Sequence, residues 1–280
     1  MEKRIHIMGI VNLTPDSFYP ESRVMEADAM ARIEQLFRDG AHVVDLGACS
    51  TRPGGVQPSE EEEWKRLKPV LERIGREIPF SGTFARIGSR SDVEEKGISL
   101  PVLSIDTYRS EIVRWAYELI GPFIVNDVGG GEPQMLQTVG ELGLPYIAMH
   151  GRVPKGDVVE DVLAFFRDFA IKAREYGVKE WMLDPGFGFG KDTPQNYELL
   201  RRLDELKAAG REILVGISRK SMIYKTLGIT PEEAMPVSLS LEALALERGA
   251  TWLRVHDVKE TARMVKAYST MYTSSPGAAK

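Results

Sequence analysis

The sequence is short of cysteine, of long apolar runs and of basic charge, and each shortage excludes a class of protein. One cysteine, Cys49, in 280 residues excludes an internal disulfide framework and a multi-cysteine zinc site, so a reducing cytoplasm is the expected compartment. No apolar run approaches the ~18 residues of a membrane-spanning helix, and no signal-peptide pattern is visible. Asp and Glu outnumber Lys and Arg by 41 to 36, which argues against a general nucleic-acid surface.

Short apolar runs alternate with amphipathic patterns along most of the chain. We predict strands at residues 5–13, 42–47, 102–107, 123–127, 146–150, 181–185, 213–218 and 252–256. We predict helices at residues 26–38, 60–76, 109–119, 133–141, 158–176, 195–207, 231–248 and 258–268. Eight parallel strand–helix units of this length favour an α/β fold, a single-domain (β/α)₈ TIM barrel. A doubly wound open sheet is the alternative, and it fits less well because no glycine-rich dinucleotide turn follows the first strand.

The spacing of these units sets the expected domain boundaries. The interval between Asp45 and Asp106 is about one unit too long, and the excess falls at residues 79–100, which are rich in loop signals. We therefore expect one barrel over residues 1–268 with an insertion near 79–100. Residues 269–280 are expected to form a flexible tail.

Polar side chains stand at the ends of the predicted strands. They are Asn12, Asp45, Asp106, Asn126, His150, Asp184, Ser218 and His256. Capping of the following helices would explain any one of them, but so many within apolar runs favour a shared polar pocket at the carboxyl ends of the strands. Arg254 shares a strand face with His256 and lies one layer deeper, so it needs an anionic partner, either a barrel carboxylate or a bound phosphate.

The loops after these strands also suit a binding site. Residues 12–18 and 49–55 combine turn formers with polar side chains, as lids over a site do. Glycines in residues 184–191 allow a close backbone approach to a ligand. Residues 218–221, Ser-Arg-Lys-Ser, place cations at the start of a helix, which is typical of an anion site.

Together these motifs carry a resemblance to a known family. They are residues 12–18, 50–54, 104–107, 126–127, 184–191, 218–221 and 254–258. In this order they resemble dihydropteroate synthase, a family of pterin-binding TIM barrels, from about Met8 to Lys266. The resemblance implies a magnesium-assisted transferase that forms a C–N bond in folate biosynthesis. Its substrates would be 6-hydroxymethyl-7,8-dihydropterin diphosphate and 4-aminobenzoate, and its products 7,8-dihydropteroate and diphosphate.

The resemblance also implies roles for individual side chains in pterin chemistry. Asp184 would accept the 2-amino group and N3–H of the pterin, since a carboxylate suits two adjacent donors. Asn126 would pair with N1 and N8, and Lys220 would donate to O4 and N5. Asp106 would stabilise the positive charge of an SN1-like path, and Met149 would contact the pterin.

The same resemblance also implies which residues bind the diphosphate and the 4-aminobenzoate. Asn12, Arg254, His256 and Thr51 would bind the diphosphate, with Asn12 holding Mg²⁺. Residues near the 4-aminobenzoate would be Thr51, Arg52, Pro53, Phe189, Lys220 and Ser221, with Asp16 in a closing loop. The family is a sulfonamide target and is usually a homodimer, and neither a nucleic acid nor a membrane is expected as a partner.

Two other functions stay open at this point. A methyltetrahydrofolate:corrinoid methyltransferase uses the same barrel, but it would not need the Ser-Thr-Arg-Pro loop or the pair Arg254 and His256. A non-catalytic pterin-binding homologue should have lost a magnesium or diphosphate residue, whereas Asn12, Arg254 and His256 are all present. The chain departs from the family pattern at residues 19–22, 149–152 and 127–131, which puts the shape of the loops in doubt.

Overall fold

Strands and helices alternate through the computed structural model, which describes residues 4–13, 22–49, 57–77 and 102–273. The strands are β1 (His6–Asn12), β2 (Val43–Gly47), β3 (Val102–Asp106), β4 (Ile124–Asp127), β5 (Tyr146–Met149), β6 (Trp181–Asp184), β7 (Leu214–Val215) and β8 (Trp252–Val255). Each lies within or at the bounds of a predicted strand. The predicted insertion at 79–100 lies outside the described residues.

The strands form one parallel sheet in the order β6-β5-β4-β3-β2-β1-β8-β7. Its two ends meet through a single bridge between Leu183 and Ile213, supported by the Leu183 N–H, which donates to the Glu212 carbonyl at 2.9 Å. We call this junction between β6 and β7 the seam. The sheet is therefore a barrel that is nearly closed, which confirms the predicted fold and not the open alternative.

Helices follow the strands on the outside of the barrel. They are α1 (Ser22–Arg38), α2 (Glu60–Glu77), α3 (Ser110–Ile120), α4 (Pro133–Leu142), α5 (Val158–Glu175), α6 (Thr193–Arg201), α7 (Ser221–Leu227), α8 (Met235–Glu247) and α9 (Val258–Thr273). None of the described helices is both long enough and apolar enough to cross a membrane.

Several helices differ from the predicted ranges. Helix α1 begins at Ser22 and not at residue 26, α7 lies outside the eight predicted ranges, and α9 continues past its predicted end at residue 268. The predicted helix 195–207 is α6 followed by a 3₁₀ helix, Leu203–Ala209. Leu203 and Leu206 are both buried at the three-residue spacing that a 3₁₀ helix brings to one face. The predicted helix 231–248 begins only at Met235, because Thr230 and Glu233 bond to each other's backbone N–H groups in a preceding turn.

The interior of the barrel is closed at its lower end by one apolar side chain from each strand. These side chains, which we call the floor, are Met8, Val43, Val102, Ile124, Ile147, Met182, Leu214 and Trp252. None is more than 2% exposed. A separate and larger apolar cluster lies between the sheet and the helices. The floor fixes which face of each strand points inward, and so it decides which residues can reach the opposite end.

Candidate active site

Side chains two residues apart on a strand point to the same face, so each floor residue predicts the next inward-facing position. The positions one or two such steps above the floor, which we call the mouth, include Asn12, Asp45, Ser104, Asp106, Asn126, Met149, Asp184 and Arg254, and the same alternation points Ile10 and Gly216 inward. The strand register supports the grouping, because Asp106 pairs with Asn126 and Met149 pairs with Asp184. The interior thus changes from apolar to largely polar within one or two such steps along the strands.

Arg254 lies at the centre of the mouth between two carboxylates. Its Nε donates to Asp45 Oδ2 at 2.7 Å, and its Nη2 donates to Asp106 Oδ2 at 2.7 Å. Asp45 is fully buried and the Arg254 side chain is only 19% exposed. The predicted anionic partner of Arg254 is therefore a pair of barrel carboxylates. Asp45 was predicted only as a member of the polar pocket, without a role.

The two aspartates place more negative charge beside Arg254 than one guanidinium neutralises. Asp45 Oδ1 and Asp106 Oδ1 are both buried without a hydrogen-bond partner among the described residues. Burial raises the pKa of the Asp106 carboxyl to about 7, although Arg254 opposes the rise and the neighbouring Asp45 adds to it. Near neutral pH, Asp106 can thus exchange a proton or receive a positive charge brought by a ligand.

Asn126 and Asp184 line the side of the mouth formed by β4, β5 and β6. Asn126 is 2% exposed and donates from Nδ2 to Asp45 Oδ2 at 3.0 Å, which leaves its amide oxygen as an acceptor. Asp184 is 7% exposed, and its Oδ1 accepts the Gly186 N–H at 2.8 Å. Burial raises the pKa of Asp184, and the Lys220 ammonium opposes this. Met149 lies next to Asp184 in the register and is buried.

Lys220 faces Asp184 from across the seam. Its Nζ donates to the Phe187 carbonyl and lies 4.6 Å from the centroid of the Phe189 ring. Burial lowers the pKa of Lys220 to about 8, and the Asp184 carboxylate opposes the fall. The loop after β6 therefore supplies a carbonyl and an aromatic face to a cation that belongs to the loop after β7.

The loops after β7 and β8 are tied together beside Lys220. Arg219 has φ 54°, a left-handed conformation that is uncommon for a residue with a side chain. It makes a two-pronged ion pair with Asp257 at 2.6 and 2.8 Å, and its N–H donates to Ser238. Ser218 Oγ accepts the His256 N–H at 3.2 Å and lies 3.3 Å from His256 Nδ1. His256 is therefore held at the rim of the mouth, as predicted.

Some of the remaining predicted site residues lie in the described part of the chain, and others lie outside it. Asn12 ends β1 opposite Gly47, and a Cβ on Gly47 would lie 3.7 Å from Asn12 Oδ1 and 3.5 Å from Asp106 Cβ. Ser221 begins α7 directly after Lys220. Asp16, Thr51, Arg52 and Pro53 lie outside the described residues.

His150 does not join the shared pocket that the strand-end pattern predicted. It follows the inward-facing Met149, so its side chain points outward, where Nε2 lies 2.8 Å from Asp161 Oδ2 on α5. Its Nδ1 lies 2.9 Å from the Nζ of Lys191. Alternation along the strand was the signal that could have shown this, because consecutive residues face opposite sides of the sheet.

Among the described residues, no group of three or more His, Cys, Asp or Glu side chains could hold a metal ion by itself. Asn12 instead offers a single amide oxygen, Oδ1, on the same side of the mouth as the Asp106 carboxylate. Mg²⁺ commonly takes one or two protein oxygens and completes its shell with water and phosphate oxygens. The donor set therefore fits a magnesium ion that arrives with a phosphorylated ligand.

The chain matches a family model and is similar in sequence to known proteins. A family model described as "Pterin binding enzyme" matches residues 8–81 and 92–256. The chain is 36% identical over 274 residues to the dihydropteroate synthase of Escherichia coli K12, covering 93% of this chain and 89% of that protein. It is 34% identical to the enzyme of the same name from Bacillus subtilis 168, over 272 residues, covering 95% of this chain and 88% of that protein.

Solved structures give the same result. The structure of dihydropteroate synthase from Clostridium difficile in the presence of pteroic acid superposes with a TM-score of 0.85 at 34% identity, over 98% of both chains. That of the Xanthomonas albilineans enzyme in complex with 7,8-dihydropteroate superposes with a TM-score of 0.81 at 32% identity, over 98% of this chain and 96% of that chain.

Proposed function

The chain belongs to the dihydropteroate synthase family, and on that premise we propose that its mouth carries out the transfer for which the family is named. The chain is a transferase of folate biosynthesis. It joins 6-hydroxymethyl-7,8-dihydropterin diphosphate to 4-aminobenzoate and yields 7,8-dihydropteroate and diphosphate. The observation that carries the proposal is the arrangement of buried Asn126 and Asp184 and of the partly buried Lys220 around Arg254 and its two carboxylates.

The donors and acceptors of the mouth complement a pterin ring. The Asp184 carboxylate accepts from the 2-amino group and N3–H in a bidentate manner, and the Lys220 ammonium donates to O4 and N5. Asn126 meets N1 and N8, with its position fixed by the hydrogen bond to Asp45. Met149 supplies an apolar wall. Burial of these groups supports tight recognition, since an unmatched ligand would leave them without partners.

We assign the bond-breaking step to an SN1-like path. The C–O bond to the diphosphate breaks first, and its electron pair leaves with the diphosphate. The amine of 4-aminobenzoate then forms the C–N bond and releases a proton. Positive charge develops on the pterin in between, and a preorganised carboxylate at Asp106 stabilises it. Protonated Asp106 cannot do this, so Arg254 supports the step by favouring the ionised form.

The departing diphosphate meets cationic and polar groups at the rim. Arg254 uses Nε and Nη2 for the two aspartates, so its other N–H groups are left for phosphate oxygens. His256 would also contact the diphosphate, the family resemblance adds Thr51, and Asn12 would hold Mg²⁺. The ion would supply charge neutralisation for the leaving group.

We place 4-aminobenzoate over the Phe189 ring, with its carboxylate near the Ser221 hydroxyl and the Lys220 ammonium. Lys220 already lies over Phe189, which supports an aromatic acid at this point. Thr51, Arg52 and Pro53 would close the other side of the benzoate ring.

One assay tests the function against its alternatives. Purified protein with pterin diphosphate, 4-aminobenzoate and magnesium should release diphosphate only when the amine is present. Corrinoid-dependent methyl transfer, or pterin binding without turnover, would overturn the proposal. A sulfonamide should inhibit competitively against 4-aminobenzoate, whereas noncompetitive inhibition would contradict the proposed benzoate position.

The wider setting of the enzyme is also proposed. We propose one barrel domain over residues 1–268, a cytoplasmic location and a homodimer formed through barrel helices. Leu244 on α8 is 51% exposed, and Met271 and Tyr272 on α9 are 66% and 63% exposed. Such adjacent apolar helices favour cover by a second copy.

A further inference from the structure

Lys191 follows the loop after β6 and has no role in the proposed reaction. It is 8% exposed. Its Nζ lies 2.9 Å from the His150 carbonyl, 3.0 Å from the Gly186 carbonyl and 3.1 Å from the Phe189 carbonyl. A fourth acceptor, His150 Nδ1, lies at 2.9 Å. Four acceptors converge on one amine that carries three protons at most, which is far more than a surface lysine receives.

The histidine is set up to accept from this amine. His150 is fully buried, and its Nε2 lies 2.8 Å from Asp161 Oδ2. A carboxylate can only accept, so Nε2 carries the proton and Nδ1 presents a lone pair. Arg152 donates to Asp161 at 3.1 and 3.3 Å from the solvent side. A chain of polar contacts thus runs from α5 through His150 to Lys191.

The loop that Lys191 holds has little room to adopt another shape. Gly186 has φ 71°, and a Cβ there would lie 2.1 Å from the His150 carbonyl oxygen. Asn196 on α6 accepts the Gly188 N–H at 2.7 Å and donates to the Lys191 carbonyl at 3.1 Å. Lys191 and Asn196 therefore fix the loop from two sides.

The far side of the same loop faces the substrates. Its Phe187 carbonyl and Phe189 ring receive the Lys220 ammonium. Asp184 lies on β6 itself, in register with Met149, and only its hydrogen bond from the Gly186 N–H ties it to this loop. A change in the loop should therefore disturb Lys220 and Phe189 more than it disturbs Asp184.

We propose that Lys191 is a positioning residue, whose amine gathers the loop carbonyls so that Phe187 and Phe189 hold Lys220 for the 4-aminobenzoate. The inference rests on the proposed function. Burial lowers the pKa of Lys191 to about 7, and the Asp184 carboxylate opposes this fall. Keeping the charged amine in the interior therefore costs free energy.

The test is Lys191→Met, which keeps the length of the side chain and removes its donors. The matched control is Lys179→Met, which makes the same change at an exposed lysine before the opposite end of β6. We expect the KM for 4-aminobenzoate to rise about tenfold in Lys191→Met, because both Phe189 and Lys220 shift. The Kd of the pterin diphosphate should rise by only about threefold, because Asn126 and Asp184 still hold the pterin. Lys191→Gln, which keeps an N–H donor, should recover part of the loss.

Each result decides the question. The inference is overturned if neither constant changes, if both rise by the same factor, or if only the active fraction and melting temperature fall. If Lys191→Met does not fold, Asp161→Asn gives the answer, because it weakens the hold on His150 and should show the same selective rise in KM. Wild-type protein that forms no dihydropteroate would instead refute the proposed function, before any variant is compared.

Discussion

The floor and the mouth of the barrel are built by the same eight strands, but the floor is lined by apolar side chains and the mouth mainly by polar and charged ones. At the floor, every inward side chain is apolar and at most 2% exposed. At the mouth, the next inward positions carry three aspartates and an arginine, and two carboxylate oxygens lack a partner among the described residues. The floor lowers the free energy of the folded chain. The mouth keeps unsatisfied groups that only a ligand can match.

The largest expected effect comes from breaking the ion pairs of the mouth with Arg254→Met. Both carboxylates would lose their cation, and removing one partner of a buried pair costs ~3–5 kcal/mol. The free energy of unfolding should fall by about this amount. Separately, kcat/KM should fall about a thousandfold, because Asp106 loses the cation that favours its ionised form and the diphosphate loses a ligand. Steady-state kinetics and thermal melting measure both effects.

Arg248→Met is the control for this change. Its ion pair with Asp204 has a similar length, 3.1 Å, but both side chains are more than two-fifths exposed. Exposed pairs contribute ~0–1 kcal/mol, so kcat/KM should stay at the wild-type value. Equal losses in the two variants would remove the distinction drawn here between the mouth and the surface.

The next effect concerns the reacting charge. Asp106→Ala should lower kcat about a hundredfold, because it removes a preorganised carboxylate. The Kd of the pterin measured by calorimetry should change much less. Equal losses in kcat and in pterin affinity would contradict the charge-stabilising role of Asp106.

A change at the floor should give the opposite pattern. Met182→Ala is expected to lower the free energy of unfolding by ~2–5 kcal/mol through the cavity it leaves. Its kcat/KM, measured on the folded fraction, should remain near the wild-type value. Denaturant unfolding gives the first quantity, and a large selective loss of kcat/KM would show that the floor also shapes the site.

The smallest expected effect is a pH dependence that distinguishes the two ends. Below the floor, His6 stacks on Trp252, and burial lowers the pKa of His6 to about 4, with His42 and Arg4 adding to the fall. The unfolded chain therefore takes up this proton first, and stability falls as the pH drops from about 6.5 to about 4. Asp106 has the opposite effect on stability. Its pKa in the folded protein is raised from 3.8 to about 7, so the folded state loses stability as the pH rises between these two values.

His6→Phe should flatten the acid side of the stability profile while keeping an aromatic face on Trp252. Urea unfolding at several pH values between 4 and 7 measures the slope. An unchanged slope would mean that His6 does not titrate between these limits, and His42→Phe serves as the comparison because burial also lowers the pKa of His42.

Much of this architecture could be predicted from the sequence, because parallel strands covered on both faces are nearly continuous apolar runs. The same periodicity placed Arg254 one layer below His256 and required an anion beside it. It could not show that Asp45 and Asp106 are that anion, because strand register decides which carboxylates reach the guanidinium.

Other features depend on contacts that no local pattern records. The site of Lys191 needs three carbonyls that β5 and the β6 loop bring together. Strand β7 is shorter than the predicted 213–218, because only Leu214 and Val215 find continuous partners on β8. His150 was assigned to the wrong face because its position at a strand end was weighted above alternation.

The seam gives the cylinder one weak junction, since a single bridge joins β6 to β7 while the other neighbours share longer ladders. Asp184 and Lys220 leave the sheet on opposite sides of this junction. In the proposed complex, a pterin bound by both side chains would bridge β6 and β7. Part of its binding free energy would then stabilise closure of the barrel at the seam.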